Sequence, residues 1–314
     1  MTATIDIWTD PQLEQIRLLK AANIERQQLT SAVNAVINHY LVNKNGEDHG
    51  FLFLSGPPGT GKSTVLKRAA DEILRLSKDK GNWPVATFLL PENCSRKDFM
   101  SCCLEAVGDP AAHVGTRTSM EQRFKRIVEK KQVQILMVDE LGHIVNSDDN
   151  EVNFVTADLL KLVTEGFRKA VVLAGLPNAV RVMQSNPQLS GRRHETIELR
   201  PLSLGTAASG KECQFALLHY DEALPFADYC MLSDYTWMKA HMAASEGNPR
   251  AVVRLTRNAG MAAIRDDARR IEADHWQRAW ADLRRDLDAK GKNPYSDLTL
   301  PPPVAKPLRQ GKVA

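Results

Sequence analysis

Nine residues constrain this chain more than any others: Gly56-Pro57-Pro58-Gly59-Thr60-Gly61-Lys62-Ser63-Thr64, which directly follow the apolar run Phe51-Leu52-Phe53-Leu54-Ser55. A short apolar run, a glycine-rich turn and the helix-forming stretch Val65 to Leu76 read as strand, phosphate-binding loop and helix. The spacing G-x-x-x-x-G-K-[ST] is met in full. Gly56, Gly59 and Gly61 allow backbone torsions that turn successive N–H groups inward, which makes an anion nest at the positive end of the following helix. Lys62 is placed to reach the β- and γ-phosphates of a nucleoside triphosphate, and the Ser63 hydroxyl to ligate Mg²⁺. Pro57, Thr60 and Thr64 complete the expected nucleotide-binding set.

Such a loop requires carboxylates on a neighbouring strand. Gln134-Ile135-Leu136-Met137-Val138 is an apolar run of the kind a buried parallel strand shows, and it ends in Asp139-Glu140. Asp139 suits the Mg²⁺ shell. Glu140 suits the orientation of a water for attack on the γ-phosphate.

β-type runs at Val85 to Leu90, Gln134 to Asp139, Ala170 to Gly175 and Thr196 to Leu202 alternate with helical spacing, which predicts an α/β fold with a parallel sheet and flanking helices. Val85 to Leu90 falls between the phosphate loop and the acidic strand, so those two strands have room for another between them. Residues Pro11 to Leu41 show helical spacing and predict an N-terminal helical segment over 1–49, ahead of a core over 50–202. Beyond Pro201 the strand signals stop. Lys211 to Tyr220, Asp234 to Ser245, Pro249 to Ile264 and Ile271 to Leu287 predict a small all-α lid over 203–290. The remainder, 291–314, carries Pro301-Pro302-Pro303 and the basic residues Lys306, Arg309 and Lys312, and reads as an extended, flexible tail.

Four further residues carry charge or polarity where a nucleotide could use it. Arg192 and Arg193 stand just before the last strand, and arginine's planar donors and permanent charge match a transferring phosphoryl group on a neighbouring subunit. In Gly247-Asn248-Pro249-Arg250, Asn248 reads as an N-cap and Pro249 as the first helical residue. Arg250 then opposes the helix dipole, which makes an anionic partner such as the phosphates fit there. Asn178, after the strand Ala170 to Gly175, is the nearest candidate for sensing the γ-phosphate.

Composition narrows the rest. With 314 residues, 43% hydrophobic and 25% charged, the chain is an ordinary globular protein with room for a domain and a smaller companion. A formal charge of +3 confines any nucleic-acid contact to local patches. Candidates for such contacts are Arg96 and Lys97 after the second strand, and Arg117 between two threonines. They would be sequence-tolerant phosphate contacts. Cys94, Cys102, Cys103, Cys213 and Cys230 lack C-x-x-C spacing, which predicts reduced thiols and no structural metal. The start carries no leader pattern and no run reaches membrane-spanning length, so a cytoplasmic location is expected.

Taken together, the phosphate loop, Asp139-Glu140, the Arg192/Arg193 loop and Gly-Asn-Pro-Arg250 in a helical lid resemble the AAA+ ATPases. The stretch VVLAGLPNAVRVMQSNPQLSGRRHETIELRPL is similar to the TniB/TnsC-like transposition regulators and the related ExeA-type ATPases, and the likeness covers roughly residues 30 to 285. On the family spacing Arg193 matches the trans-acting arginine, with His194 in the aromatic place and Arg192 in reserve. The family's usual polar residue after the fourth strand is missing. The resemblance implies an ATP- and Mg²⁺-dependent homo-oligomer, ring or filament, assembled on double-stranded DNA. It would select target DNA and recruit or activate a transposase, alongside a TniQ-like targeting protein, with ATP hydrolysis driving disassembly. Two other classes share these residues: a helicase loader or other DNA-loading ATPase, and a protein-remodelling or secretion-type ATPase that needs no DNA.

Overall fold

The computed structural model describes residues 8–44, 50–77, 83–92, 94–141, 167, 169–179, 193–286 and 291–307. They form two compact units, one comprising Gln28–Arg200 and the other Met1–Gln27 together with Pro201–Ala314.

The first unit is built on a five-stranded parallel sheet. Its strands are β1 (Phe51–Ser55), β2 (Val85–Leu89), β3 (Ile135–Asp139), β4 (Ala170–Gly175) and β5 (Arg193–Glu198), in the order β2-β3-β4-β1-β5. Every pairing is parallel. Apolar residues at successive strand positions point to opposite faces, and both faces are covered. Phe51, Phe53, Phe88, Leu136, Val138 and Leu173 pack with α4 (Arg96–Ala106) and α5 (Arg117–Lys131). Leu52, Leu54, Ile135, Met137 and Val172 pack with α2 (Gln27–Asn43) and α3 (Lys62–Leu76) on the other side. Burial on both faces explains why these strands read as continuous apolar runs.

The second unit is helical: α1 (Asp10–Ala21), α6 (Ala207–Ala223), α7 (Tyr235–Ser245), α8 (Pro249–Arg265) and α9 (Ala273–Asp286). Its core draws Ile16, Leu19 and Ile24 from the N-terminal end together with Leu217, Tyr220, Trp237, Leu255 and Trp276. The N-terminal stretch that reads as one helical segment therefore divides, with α1 packing in the helical unit and α2 against the sheet.

Two differences from the sequence reading have physical causes. The last strand begins at Arg193 rather than Thr196, because β5 pairs with β1 from Phe51 onward through an irregularity between Phe51 and Leu52. The room expected between the phosphate-loop strand β1 and the acidic strand β3 is taken by β4, and β2 lies at the sheet edge. Residues 291–307, read as a free tail from their prolines, have buried anchors. Tyr295 is fully buried, and Val304 to Lys306 exchange backbone hydrogen bonds with Ala227 to Tyr229. The Lys306 ammonium reaches the Leu224 carbonyl at 3.2 Å and the Asp221 carboxylate at 3.3 Å near the C-terminus of α6. Residues 308–314, including Arg309 and Lys312, lie outside the described residues.

Candidate active site

The phosphate loop joins β1 to α3 at the carboxyl end of the sheet. Gly59 and Gly61 take the left-handed torsions that the loop requires, with φ of 78° and 107°. Lys62 is only 5% exposed, and its ammonium donates to the carbonyls of Gly56 (2.7 Å) and Pro57 (3.1 Å). The Thr60 hydroxyl donates to the Pro57 carbonyl at 2.8 Å, which draws the turn tight. Ser63 and Thr64 stand exposed in the first turn of α3.

That helix starts unlike α4 to α8. Ser95, Thr116, Thr206, Asp234 and Asn248 cap α4, α5, α6, α7 and α8 by accepting from first-turn N–H groups. At α3 the N-cap is Gly61, no side chain accepts from the first turn, and no acid lies there. The first N–H groups of a helix have no intrahelical acceptor. An anion is the partner that suits them, and the helix dipole favours it.

Asp139 and Glu140 lie across β4. Val138 is level with Leu173 of β4, and Leu173 with Phe53 of β1, so Asp139 and Leu54 are each one residue further on. Two strand spacings, about 10 Å, separate them. Asp139 is 6% exposed, and one of its carboxylate oxygens accepts the Glu140 N–H at 2.8 Å. This bond stabilises an abrupt turn: Glu140 has φ of 58°, a left-handed conformation that is unfavourable for a residue with a side chain. The strand thus ends on a buried carboxylate and swings the next carboxylate, half-buried, off the strand line.

The loop's glycines also define its walls. A Cβ at Gly56 would lie 2.6 Å from the Leu199 carbonyl oxygen, and one at Gly61 would lie 2.7 Å from a Leu29 methyl. Leu29 and Leu199 were not legible as site residues. Leu29 is one of a helical stripe of apolar residues, and nothing local distinguishes it.

The remaining expected residues are placed as follows. The Gly56 N–H donates to the Gly175 carbonyl at 3.2 Å, so the turn that carries the exposed Asn178 begins beside the loop. Arg193, described by its backbone alone, is level with Phe51 at the amino end of β1, opposite the loop. Arg192 lies outside the described residues. Arg250 is exposed in the first turn of α8, and its N–H donates to the Asn248 side chain at 3.0 Å. Arg96, again by backbone alone, and Lys97 open α4, and Arg117 opens α5, so these are helix-start residues rather than loop residues. Arg117 is paired with Glu121 at 2.7 Å.

A buried lysine, an uncapped glycine-led helix and a carboxylate pair two strands away fit a nucleoside triphosphate and Mg²⁺. The family model for the bacterial TniB protein matches residues 16–203. The chain belongs to the TniB family. Its curated relatives include the ORC1-type DNA replication protein 1 of Sulfurisphaera tokodaii, 24% identical over 250 residues that cover 77% of this chain and 59% of the relative. Another is the cell division control protein 6 homolog B of Arabidopsis thaliana, 27% identical over 141 residues, covering 42% and 26%. The TniB chain thus spans about three-fifths of the first relative's length.

Among solved structures, the Aeropyrum pernix ORC1 protein in complex with DNA superposes with a TM-score of 0.63 at 16% identity, over 86% of this chain and 70% of that one. Drosophila ORC bound to DNA gives 0.58 at 16% identity, over 90% and 70%. These likenesses establish for this TniB chain the fold of the AAA+ P-loop ATPases. No described helix is long and apolar enough to cross a membrane.

Proposed function

We propose that this protein is an ATPase that regulates transposition as an oligomer on double-stranded DNA. ATP would bind at Gly56 to Thr64, with Lys62 leaving its carbonyl partners for the β- and γ-phosphates. Ser63 and Asp139 would hold Mg²⁺, whose chemistry is to neutralise charge on the phosphates. Glu140 would orient the attacking water, Asn178 would sense the γ-phosphate, and Arg250 would reach the phosphates from the helical unit of the same chain. Arg193, with Arg192 in reserve, would complete a neighbouring subunit's site. Its backbone position at the amino end of the strands, opposite its own loop, supports a role in trans.

The observation that carries the reading is the uncapped start of α3 set across β4 from Asp139-Glu140, in a chain of the TniB family. Arg96, Lys97 and Arg117 are the proposed phosphate contacts to DNA, and the partners would be a transposase and a TniQ-like protein. Likeness to ORC1-type replication proteins favours a second reading, a DNA-loading ATPase of replication.

The deciding experiment is negative-stain electron microscopy with duplex DNA, with and without a slowly hydrolysed ATP analogue. Nucleotide-dependent rings or filaments on DNA are expected, and Lys62→Ala should abolish them along with analogue binding. Assemblies that form equally well without DNA, and no salt-sensitive DNA binding, would indicate a protein-remodelling ATPase instead. Stimulation of turnover by the transposase rather than by a replicative helicase separates the first reading from the second.

A further inference from the structure

The chain passes between its two compact units twice, between residues 27 and 28 and between residues 200 and 201. On the sheet side of both crossings stands one side chain. The amide of Gln28 donates to the Glu198 carbonyl at 2.9 Å, and its oxygen accepts the Arg200 N–H at 3.2 Å. One group therefore ties the start of α2 to the exit of β5 by two bonds of opposite sense. Glutamine can donate and accept at once, which neither an ionised glutamate nor an alanine can do.

The residues next to these bonded positions are the walls of the phosphate loop. Leu29, adjacent to Gln28, packs against Gly61 at one end of the loop. Leu199, between the two residues that the amide holds, lies against Gly56 at the other. The Leu199 N–H also donates to the Ser55 carbonyl at 2.7 Å, which fixes that wall to the end of β1. A ring of contacts closes: Gly56 to Leu199, Leu199 through its neighbours to Gln28, Gln28 to Leu29, Leu29 to Gly61.

We propose that Gln28 is a positioning residue for the phosphate loop, which sets the spacing of its two walls and so the fit of the anion nest to bound phosphates. The inference rests on the reading of that loop as the ATP site. It gives the first turn of α2, which holds none of the residues expected at the site, a part in nucleotide affinity.

Hydrogen exchange and titration of the full-length protein test it. In the nucleotide-free protein, Gln28→Ala should raise exchange of the amides over 56–62 by about five- to tenfold, the loss expected when two exposed hydrogen bonds go. It should weaken binding of a fluorescent, non-hydrolysed ATP analogue by a similar factor. Gln28→Glu, which keeps the acceptor and loses the donor, should fall between wild type and Gln28→Ala in both readouts. Gln27→Ala, one residue away on the same turn, should leave both unchanged. A general loss of stability would instead raise exchange throughout the sheet and lower the melting midpoint without singling out residues 56–62. Unchanged exchange over 56–62 in both Gln28 variants overturns the proposal. A wild-type protein that binds no analogue overturns the ATP reading, and the exchange comparison still decides whether Gln28 sets the loop.

Discussion

At Gly61 a torsion and a contact impose the same choice of residue. The backbone is left-handed with φ of 107°, and the space that a Cβ would fill is held by a Leu29 methyl at 2.7 Å. Gly61→Ala is therefore expected to lower ATP-analogue affinity by at least about tenfold, because strain of roughly 1–3 kcal/mol is relieved by opening the loop. Adding Leu29→Ala removes the collision and leaves the torsion, so equilibrium titration of the double variant should recover only part of the loss. Glu140 is left-handed as well, and there the strain re-aims a carboxylate rather than freeing an amide. Glu140→Gln should bind the analogue normally and hydrolyse ATP about 10²–10⁴ times more slowly, the usual contribution of a positioned base. Steady-state turnover close to wild type would assign the water to another group. Most of the loop and the acidic pair were legible in the sequence because their chemistry demands particular residue types at fixed spacing. Leu29, Leu199 and Gln28 were not, since what they contribute is position, and position is set by packing between segments distant in the chain.

Elements were legible wherever a period or a cap announced them. Helices α6 to α9 were expected within a few residues of their observed ends, and Asn248-Pro249 caps α8 as its sequence suggests. The segment beyond α9 was misjudged because prolines hide anchoring. Tyr295 from that segment enters a box with Trp237 and Trp276 at ring distances of 5.9 and 5.7 Å, and its hydroxyl meets one ring nitrogen of His241 at 2.9 Å. The other ring nitrogen of His241 has no hydrogen-bond partner among the described residues. Burial pushes the His241 pKa down to about 3, so the folded protein holds this ring neutral while the unfolded chain protonates it near pH 6.5. The unfolded state then binds more protons below that value. Stability from this group is complete above about pH 6.5 and declines as pH falls toward 3, by at most about 1.4 kcal/mol per pH unit. Urea unfolding at pH 7, 6 and 5 should show this slope. His241→Gln should flatten it over that range, where ordinary carboxylates stay ionised.

At the scale of the molecule, residue patterning separates two kinds of structure, a sheet with helices and a run of helices, without assigning every helix to its unit. A helical stripe such as Ile16-Leu19 announces a buried face without naming the core it joins, and only packing assigns α1 to the helical unit. The proposed function at this scale rests on subunits acting together. Mixing Arg193→Ala with Glu140→Gln subunits should recover part of the hydrolysis that each lacks alone, because some interfaces then pair an intact Glu140 with an intact Arg193. A mixture as inactive as its parts would place the completing arginine elsewhere.

The register of β5 on β1 carries one more consequence. Arg193 lies level with Phe51 at the amino end of the sheet, while the phosphate loop opens at the carboxyl end beyond Ser55. If Arg193 completes a neighbour's site as proposed, the arginine and the loop it serves stand at opposite ends of the strands, and the contact that joins them is head-to-tail. Such an array has a direction. If it does not close on itself, one terminal subunit holds ATP with no arginine to complete its site, so the two ends turn over nucleotide differently, and growth and loss of subunits acquire a polarity set by five residues of parallel strand.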